Sequence, residues 1–112
     1  MPLIECEQDV RRASELLKAM GNERRLMVLC NLLAGEKSVG ELEGLVGLSQ
    51  SALSQHLARL RRDGLVKSRR DAQRILYSLA GPETMTLLDT IHKLFGPEMN
   101  NEGAPVRWVS TA

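Results

Sequence analysis

Residues 49–64 of the chain read Ser49-Gln50-Ser51-Ala52-Leu53-Ser54-Gln55-His56-Leu57-Ala58-Arg59-Leu60-Arg61-Arg62-Asp63-Gly64. At about 100° per residue, the side chains of Leu53, Leu57 and Leu60 fall within one narrow arc of a helix. Ser49 is placed to cap the start of that helix, and Gly64 is placed to end it. The stretch therefore predicts an amphipathic helix that buries its leucines.

The opposite face of this helix carries small, amide and guanidinium side chains. They are Ser51, Gln55, Ala58 and Arg62, with Ser54 and Arg59 on the shoulders. Small residues allow a helix to lie deep in a major groove, while Gln can bond adenine and Arg can bond guanine. A solvated helix more often carries Glu–Lys pairs at four-residue spacing, yet Glu is absent from residues 50–78. The face is therefore typical of a helix that binds duplex DNA.

A shorter helix is predicted just before this one. The sequence Ser38-Val39-Gly40-Glu41 has the pattern of a capping box. Leu42, Leu45 and Val46 follow at helical spacing, and Gly47-Leu48 makes a tight turn. Two helices joined by a turn of a few residues that contains Gly have helix-turn-helix spacing.

After Gly64 the apolar period changes from helical to alternating. Residues 65–70 and 74–79 alternate on either side of Asp71-Ala72-Gln73, which predicts a β-hairpin. Residues 51–80 carry seven basic and two acidic side chains, a balance of +5, between flanks of −2 each. Such a cationic middle segment suits a polyanion-binding surface, because each neutralised phosphate releases counterions.

We predict that the start of the helix contacts bases and that its end and the hairpin hold phosphates. His56 lies about 60° from the centre of the leucine stripe, where a helix-flanking or phosphate contact is favoured over base contact. The predicted DNA-binding residues are Ser49, Gln50, Ser51, Ser54, Gln55, His56, Arg59, Arg62, Lys67, Arg69, Arg70 and Arg74.

The whole chain is predicted to be mainly α, with five helices and the hairpin. Only 3% of its 112 residues are aromatic, so the core must be aliphatic, which favours packed helices. The first helix is predicted from apolar positions between Val10 and Met20, and the last from Pro82 to Phe95. We expect an N-terminal segment at 1–9, one domain at 10–95 and a flexible tail at 96–112.

Several classes of protein are disfavoured by composition. The chain has no apolar run of about 18 residues and no signal peptide pattern, so we expect a cytoplasmic protein without a membrane partner. Two Cys, two His and no Gly-rich phosphate loop leave no catalytic constellation, so we expect no enzyme. A domain that binds protein or RNA is the other rival. It would favour exposed apolar or aromatic groups on the residue 50–63 helix.

Three motifs resemble the ArsR/SmtB family of winged helix-turn-helix repressors. They are residues 48–57 followed by 60–66, residues 17–20 followed by 22–26, and residues 70–73 with 77–79. The resemblance covers about residues 13–95 and is closest to a branch without metal sites, which includes nodulation and thiol-switch regulators. It implies a homodimer whose first and last helices form the interface, bound to inverted-repeat DNA with half-sites about 10 base pairs, or a multiple, apart. The implied interface residues are Val10, Leu17, Leu88, Ile91, Leu94 and Phe95.

The resemblance also bears on a metal signal. Metal-sensing members carry a Cys-rich motif on the third helix, where this chain has Val39-Gly40-Glu41-Leu42. Asp89 and His92 lie one turn apart, but a Zn site needs about four ligands. We therefore expect neither a metal nor another cofactor.

The two cysteines leave two interpretations. Cys30 falls where thiol-switch members keep one of two cysteines, but Gly96-Pro97 stands where the other belongs. Cys6 could replace that partner if the N-terminal segment folds back across Cys30. Free Cys often serves instead as a small buried apolar residue. We favour a repressor without a thiol switch, and keep a thiol- or sulfide-responsive repressor switched by Cys30 and Cys6 as the alternative.

Overall fold

The computed structural model of the chain describes residues 6–96. In chain order its elements are α1 (Glu7–Met20), α2 (Glu23–Leu33), β1 (Lys37–Ser38), α3 (Val39–Val46), α4 (Gln50–Arg62), β2 (Val66–Asp71), β3 (Arg74–Leu79) and α5 (Pro82–Phe95). The mainly helical architecture with a small hairpin is confirmed. None of the helices in this range is long and apolar enough to cross a bilayer. The predicted tail beyond residue 96 lies outside the described residues.

Three helices begin where short polar side chains satisfy their first backbone N–H groups. Asn22 Oδ1 accepts from the amides of Arg24 and Arg25 at 3.0 and 3.1 Å, which starts α2. Ser38 and Glu41 form a reciprocal capping box at the start of α3, and Ser49 Oγ accepts from the Ala52 amide at 3.2 Å to start α4. Each cap acts over two or three residues, so each was predictable from local sequence.

The first helix starts earlier than predicted. It begins at Glu7 rather than Val10, and Cys6 caps it by accepting from the Asp9 amide through Sγ at 3.4 Å. Glu7 and Asp9 lie in the first turn, where carboxylates interact favourably with the helix dipole. The apolar periodicity began only at Val10 and so missed this polar first turn.

The strands form one antiparallel sheet in the order β1-β3-β2. β2 and β3 pair from Val66↔Leu79 to Asp71↔Arg74, which is the predicted hairpin. β1 adds only two pairs, beginning with Lys37↔Tyr77. Two residues are too few for an alternating pattern, so the sequence did not predict this strand.

The hairpin closes through the two residues Ala72 and Gln73. Ala72 adopts a φ of 57°, a left-handed conformation that is unfavourable for residues with a Cβ atom. The turn therefore stores local strain at the tip of the hairpin.

The core is aliphatic and lies where α2, α3, α4 and α5 meet. Its fully buried large side chains include Leu29, Leu42, Leu53, Leu57, Leu60 and Leu88. The three leucines of α4 are among them, so that helix is held by the stripe that the sequence predicted.

Two adjacent arginines at the start of α2 cap the ends of two neighbouring helices. Arg24 Nη1 donates to the carbonyls of Val46 and Gly47 at 2.8 and 3.3 Å, at the C-terminus of α3. Arg25 is buried, and its Nε donates to the Ala19 carbonyl at 2.7 Å, at the end of α1. Burial is the main reason that the pKa of Arg25 is lowered. Through its hydrogen bonds to the Val46 and Gly47 carbonyls, Arg24 fixes the turn that leads into α4.

Candidate nucleic-acid interface

Helix α4 buries one face and exposes the other. Leu53, Leu57 and Leu60 are buried, whereas Ser51, Ser54, Gln55, Ala58 and Arg62 are exposed. Gln50 and Ser49 are exposed at its start, where the hydroxyl of Ser49 is already engaged as the cap. The small and amide side chains assigned to base contact therefore lie on one open surface.

An open groove separates this helix from the hairpin. It has a volume of about 880 Å³. Its walls include Ser54, Ala58 and Arg62 from α4 and Arg74, Ile75 and Tyr77 from β3. Arginines thus stand on both walls, and the groove places the helix end and the hairpin beside the same space.

The four basic residues of the hairpin differ in their partners. Lys67 and Arg70 are exposed. Arg69 instead donates two hydrogen bonds to the Glu36 carboxylate, Nε to Oε2 and Nη2 to Oε1, both at 2.8 Å. Arg74 donates to Asp71 Oδ2 at 3.5 Å. Arg69 is therefore exposed but paired with a carboxylate, and its assignment to phosphate contact stays a prediction.

The Glu36–Arg69 hydrogen bonds shift the pKa values of both groups. The paired guanidinium of Arg69 holds the pKa of Glu36 below its ordinary value, and Arg74 and Lys67 lower it further by their charge. The same pairing raises the pKa of Arg69. Nothing in the sequence pattern singled out Glu36, because it lies 33 residues from its partner.

The cations at the end of α4 converge on one carboxylate. Arg62 Nε donates to Asp63 Oδ1 at 3.3 Å, and Arg59 Nε lies 3.6 Å from Asp63 Oδ2. Arg59 Nε is buried and has no hydrogen-bond partner among the described residues. Arg62 stays exposed beside the groove, whereas Arg59 is half-buried.

His56 is half-buried on α4 near the arginines of α2. Burial lowers its pKa, and the charges of Arg25 and Arg24 lower it further, so the ring favours the neutral form. It does not line the groove. This placement suits a residue at the flank of the helix, and its contact with DNA stays a prediction.

Exposed apolar side chains lie on α1 and α5. The exposed fractions are 54% for Val10, 59% for Leu17, 70% for Leu94 and 82% for Phe95. Ile91 is half-buried. Met85, which the sequence-based interface set left out, is 50% exposed on α5. Large exposed apolar groups on two helices are typical of a surface that contacts another protein.

The prediction that Leu88 belongs to the dimer interface is wrong. Its side chain is fully buried in the core of its own chain, so it has no surface to offer a partner. It belongs to the same apolar stripe of α5 as Ile91, but the core side of that stripe is already covered by α2.

The two cysteines are free thiols. Cys6 is exposed and caps α1, whereas Cys30 is half-buried against the core. Burial raises the pKa of Cys30, which lowers the fraction of reactive thiolate. No group of three or more His, Cys, Asp or Glu within residues 6–96 could hold a metal ion. Asp89 Oδ2 forms an ion pair with Lys93 Nζ at 3.0 Å.

The chain is similar to known regulators over most of its length. The family model described as bacterial regulatory protein, arsR family, matches residues 22–68. The transcriptional activator HlyU of Vibrio cholerae is 54% identical over 95 residues, which cover 85% of this chain and 88% of HlyU. The solved structure of reduced HlyU from Vibrio cholerae has a TM-score of 0.81 at 53% identity and covers 85% of this chain and all of that one.

Two other solved structures share the fold. The transcriptional repressor BigR from Xylella fastidiosa has a TM-score of 0.75 at 37% identity, over 82% of this chain and 94% of BigR. The homodimeric winged helix-turn-helix DNA-binding domain of Mb0332 from Mycobacterium bovis has a TM-score of 0.71 at 26% identity, over 83% of this chain and 89% of that domain. The relatives are regulators and not enzymes, which confirms the expectation that this chain has no enzymatic role. The chain belongs to the ArsR family of bacterial regulatory proteins and is a winged helix-turn-helix transcriptional regulator.

Proposed function

We propose that the chain is a repressor that binds an inverted-repeat operator in duplex DNA as a homodimer. The observation that carries this proposal is the exposed face of α4. The helix from Gln50 to Arg62 contains no acidic residue, and its exposed side opens onto a groove lined by arginines. Such a surface attracts phosphates and leaves room for base edges close to the helix.

Two groups of residues have different roles in this proposal. Base contact falls to the exposed start of α4, where Gln55 is suited to adenine because its amide both donates and accepts. Phosphate contact falls to Arg62 at the end of α4 and to Lys67, Arg70 and Arg74 on the hairpin. The groove between them admits the sugar–phosphate strand that both sets would flank.

The exposed apolar side chains of α1 and α5 support the homodimer. A second copy of the chain would cover Leu17, Leu94 and Phe95 through a self-complementary contact about a two-fold axis. The homodimeric state of the Mb0332 domain supports the same assembly. Paired α4 helices then predict half-sites centred about 10 base pairs, or a multiple, apart.

The direction of regulation is the finer part of the proposal. BigR is described as a repressor and HlyU as an activator. We infer repression, and a reporter gene placed behind the bound site measures it directly. Expression should rise when the regulator is deleted, whereas a fall would identify an activator.

The base-contact assignment is tested by selecting a preferred duplex and replacing Gln55 with Ala. Affinity for the selected duplex should fall by about 1–3 kcal/mol, with a smaller loss on random duplex. Replacement of Gln8, an exposed amide on α1, is the matched control and should change neither affinity. An equal loss on both duplexes would show that Gln55 holds the DNA backbone.

The phosphate-contact assignment is tested with Arg70→Gln. Affinity should fall equally on selected and random duplex. The slope of log affinity against log salt concentration should decrease by about one, as expected for one lost phosphate contact. Arg12→Gln removes the same charge from an exposed site on α1 and is the control. A protein that prefers single strands over duplex, or that binds no duplex, would contradict the proposed function and favour an RNA or protein partner.

In the main form of the proposal, DNA binding is not controlled by a thiol switch. Burial keeps the pKa of Cys30 high, and Cys6 lies at the start of α1, engaged as its cap. Operator affinity should therefore be the same for reduced protein and for protein treated with a persulfide. A loss on treatment that Cys30→Ser abolishes would replace this form with the thiol-responsive one.

A further inference from the structure

One ion pair ties the hairpin to the segment that precedes β1. Glu36 and Arg69 face each other through two parallel hydrogen bonds of 2.8 Å, and both side chains are substantially exposed to solvent. The pair reaches across β3, since β1 and β2 lie on opposite sides of that strand. It is the fork-to-fork geometry that arginine also uses to hold a phosphate group.

Glu36 lies among the cations of one face of the hairpin. Residues two apart on a strand share a face, and so do residues paired across an antiparallel ladder. Lys67, Arg69 and Asp71 therefore share a face with Arg74, which pairs with Asp71 in the register. Glu36 joins this face through its hydrogen bonds to Arg69, and the positive charges of Arg74 and Lys67 also lower its pKa.

Arg74 connects this face to the groove beside α4. Arg74 lines the groove, and its positive charge lowers the pKa of Glu36. The Glu36–Arg69 pair lies on the face of the hairpin opposite to Ile75 and Tyr77, which line the groove. It shares its face with Lys67 and Arg74, so a DNA strand held by these two cations would reach the pair. The Glu36 carboxylate occupies the Nε–Nη2 edge of the Arg69 guanidinium, so a phosphate that takes this edge must displace the carboxylate.

We propose that Glu36 holds the guanidinium of Arg69 in place of a DNA phosphate and is displaced when duplex DNA binds, so that Glu36 lowers the affinity of the hairpin for DNA. The inference rests on the proposed DNA-binding function. An exposed ion pair is weak and screened by salt, so a phosphate of the polyanion can replace the carboxylate. Glu36 also holds the Arg69 side chain across β3 before DNA arrives.

The test compares Glu36→Gln, Arg69→Gln and the double variant on one duplex by fluorescence anisotropy at about 0.1 M salt. Glu36→Gln should bind about two- to fivefold more tightly than the unaltered chain, the range that an exposed ion pair accounts for. Arg69→Gln should weaken binding and lower the salt dependence by about one phosphate contact. In the Arg69→Gln background, the gain from Glu36→Gln should disappear.

Asp71→Asn is the control for a general charge effect, because it removes one negative charge from the same hairpin and leaves both Glu36–Arg69 hydrogen bonds in place. Asp71 acts on Arg69 only through its charge, so the effect of Asp71→Asn should depend much less on Arg69 than the effect of Glu36→Gln does. Thermal unfolding of each variant checks that the differences in DNA affinity are measured on folded protein.

Four results would overturn the inference. Weaker binding by Glu36→Gln would show that the pair supports the hairpin in its binding position. A gain that persists in the Arg69→Gln background would show a general charge effect. Failure of the unaltered chain to bind any duplex would overturn the proposed function together with the inference, whereas normal binding with an unchanged Glu36→Gln would overturn the inference alone.

Discussion

Removal of the Phe95 ring should dissociate the proposed dimer while leaving each chain folded. Phe95 is 82% exposed at the end of α5, so it contributes little to the core of its own chain. Full burial of a Phe or Leu side chain stabilises by about 1.5–3 kcal/mol. With 82% of the ring available to be covered, Phe95→Ala should cost about 2 kcal/mol for each copy buried.

The two-fold symmetry of the proposed dimer doubles this cost. Each substitution removes two rings from the interface, so the loss reaches about 4 kcal/mol if both are fully covered. That loss corresponds to a dimer dissociation constant raised about a thousandfold, and half coverage corresponds to about thirtyfold. Sedimentation equilibrium over a range of protein concentrations measures the constant, and far-ultraviolet circular dichroism reports whether the helices persist.

Two controls separate an interface effect from a folding effect. Ile75 is 45% exposed on β3 and lines the groove beside α4, so Ile75→Ala should leave the dissociation constant unchanged. Leu88 is fully buried, so Leu88→Ala should instead lower the free energy of unfolding by about 2–5 kcal/mol. A folded Phe95→Ala variant with a dissociation constant within threefold of the parent would refute the assignment of the α5 end to the interface.

Three further predictions concern the local devices that hold the domain together. Arg24→Met removes the donors to the carbonyls that end α3, so the free energy of unfolding measured in urea should fall by about 2 kcal/mol. A fall below about 0.5 kcal/mol would show that these hydrogen bonds contribute little to stability. Ala72→Gly relieves a left-handed residue, so the free energy of unfolding should rise by about 0.5–1 kcal/mol, and a lower melting temperature would contradict the strain argument. Ser38→Ala should cost about 1 kcal/mol near neutral pH. The capping box holds the pKa of Glu41 below its ordinary value of 4.5, so its contribution is present above that pH and is lost as the pH falls through the lowered pKa. The main cause of this lowered pKa is the Ser38 backbone amide, which Ser38→Ala retains, and the hydroxyl adds to it. The difference in unfolding free energy between Ser38→Ala and the parent should therefore narrow only slightly in acid, and a constant difference from pH 7 to pH 3 would show that the hydroxyl does not act on Glu41.

Local sequence determined where most helices of this chain begin and what faces inward. The caps at Asn22, Ser38 and Ser49 act within three residues, and the leucine stripe of α4 repeats within two turns. The alternation on both sides of Ala72-Gln73 likewise predicted the hairpin. These signals lie within one element, so they can be recognised without knowing how the elements pack.

Tertiary structure alone decided which charged and apolar side chains are available to a partner. Arg69 belongs to a cationic segment, yet it is paired with a carboxylate 33 residues earlier in the chain. Leu88 and Phe95 lie on the same helix, but one is buried and the other is exposed, because only one side of α5 packs on α2. Arg24 reaches a carbonyl 22 residues away. Local periodicity carries no information about contacts between such distant residues, since these depend on how the helices and strands pack against one another.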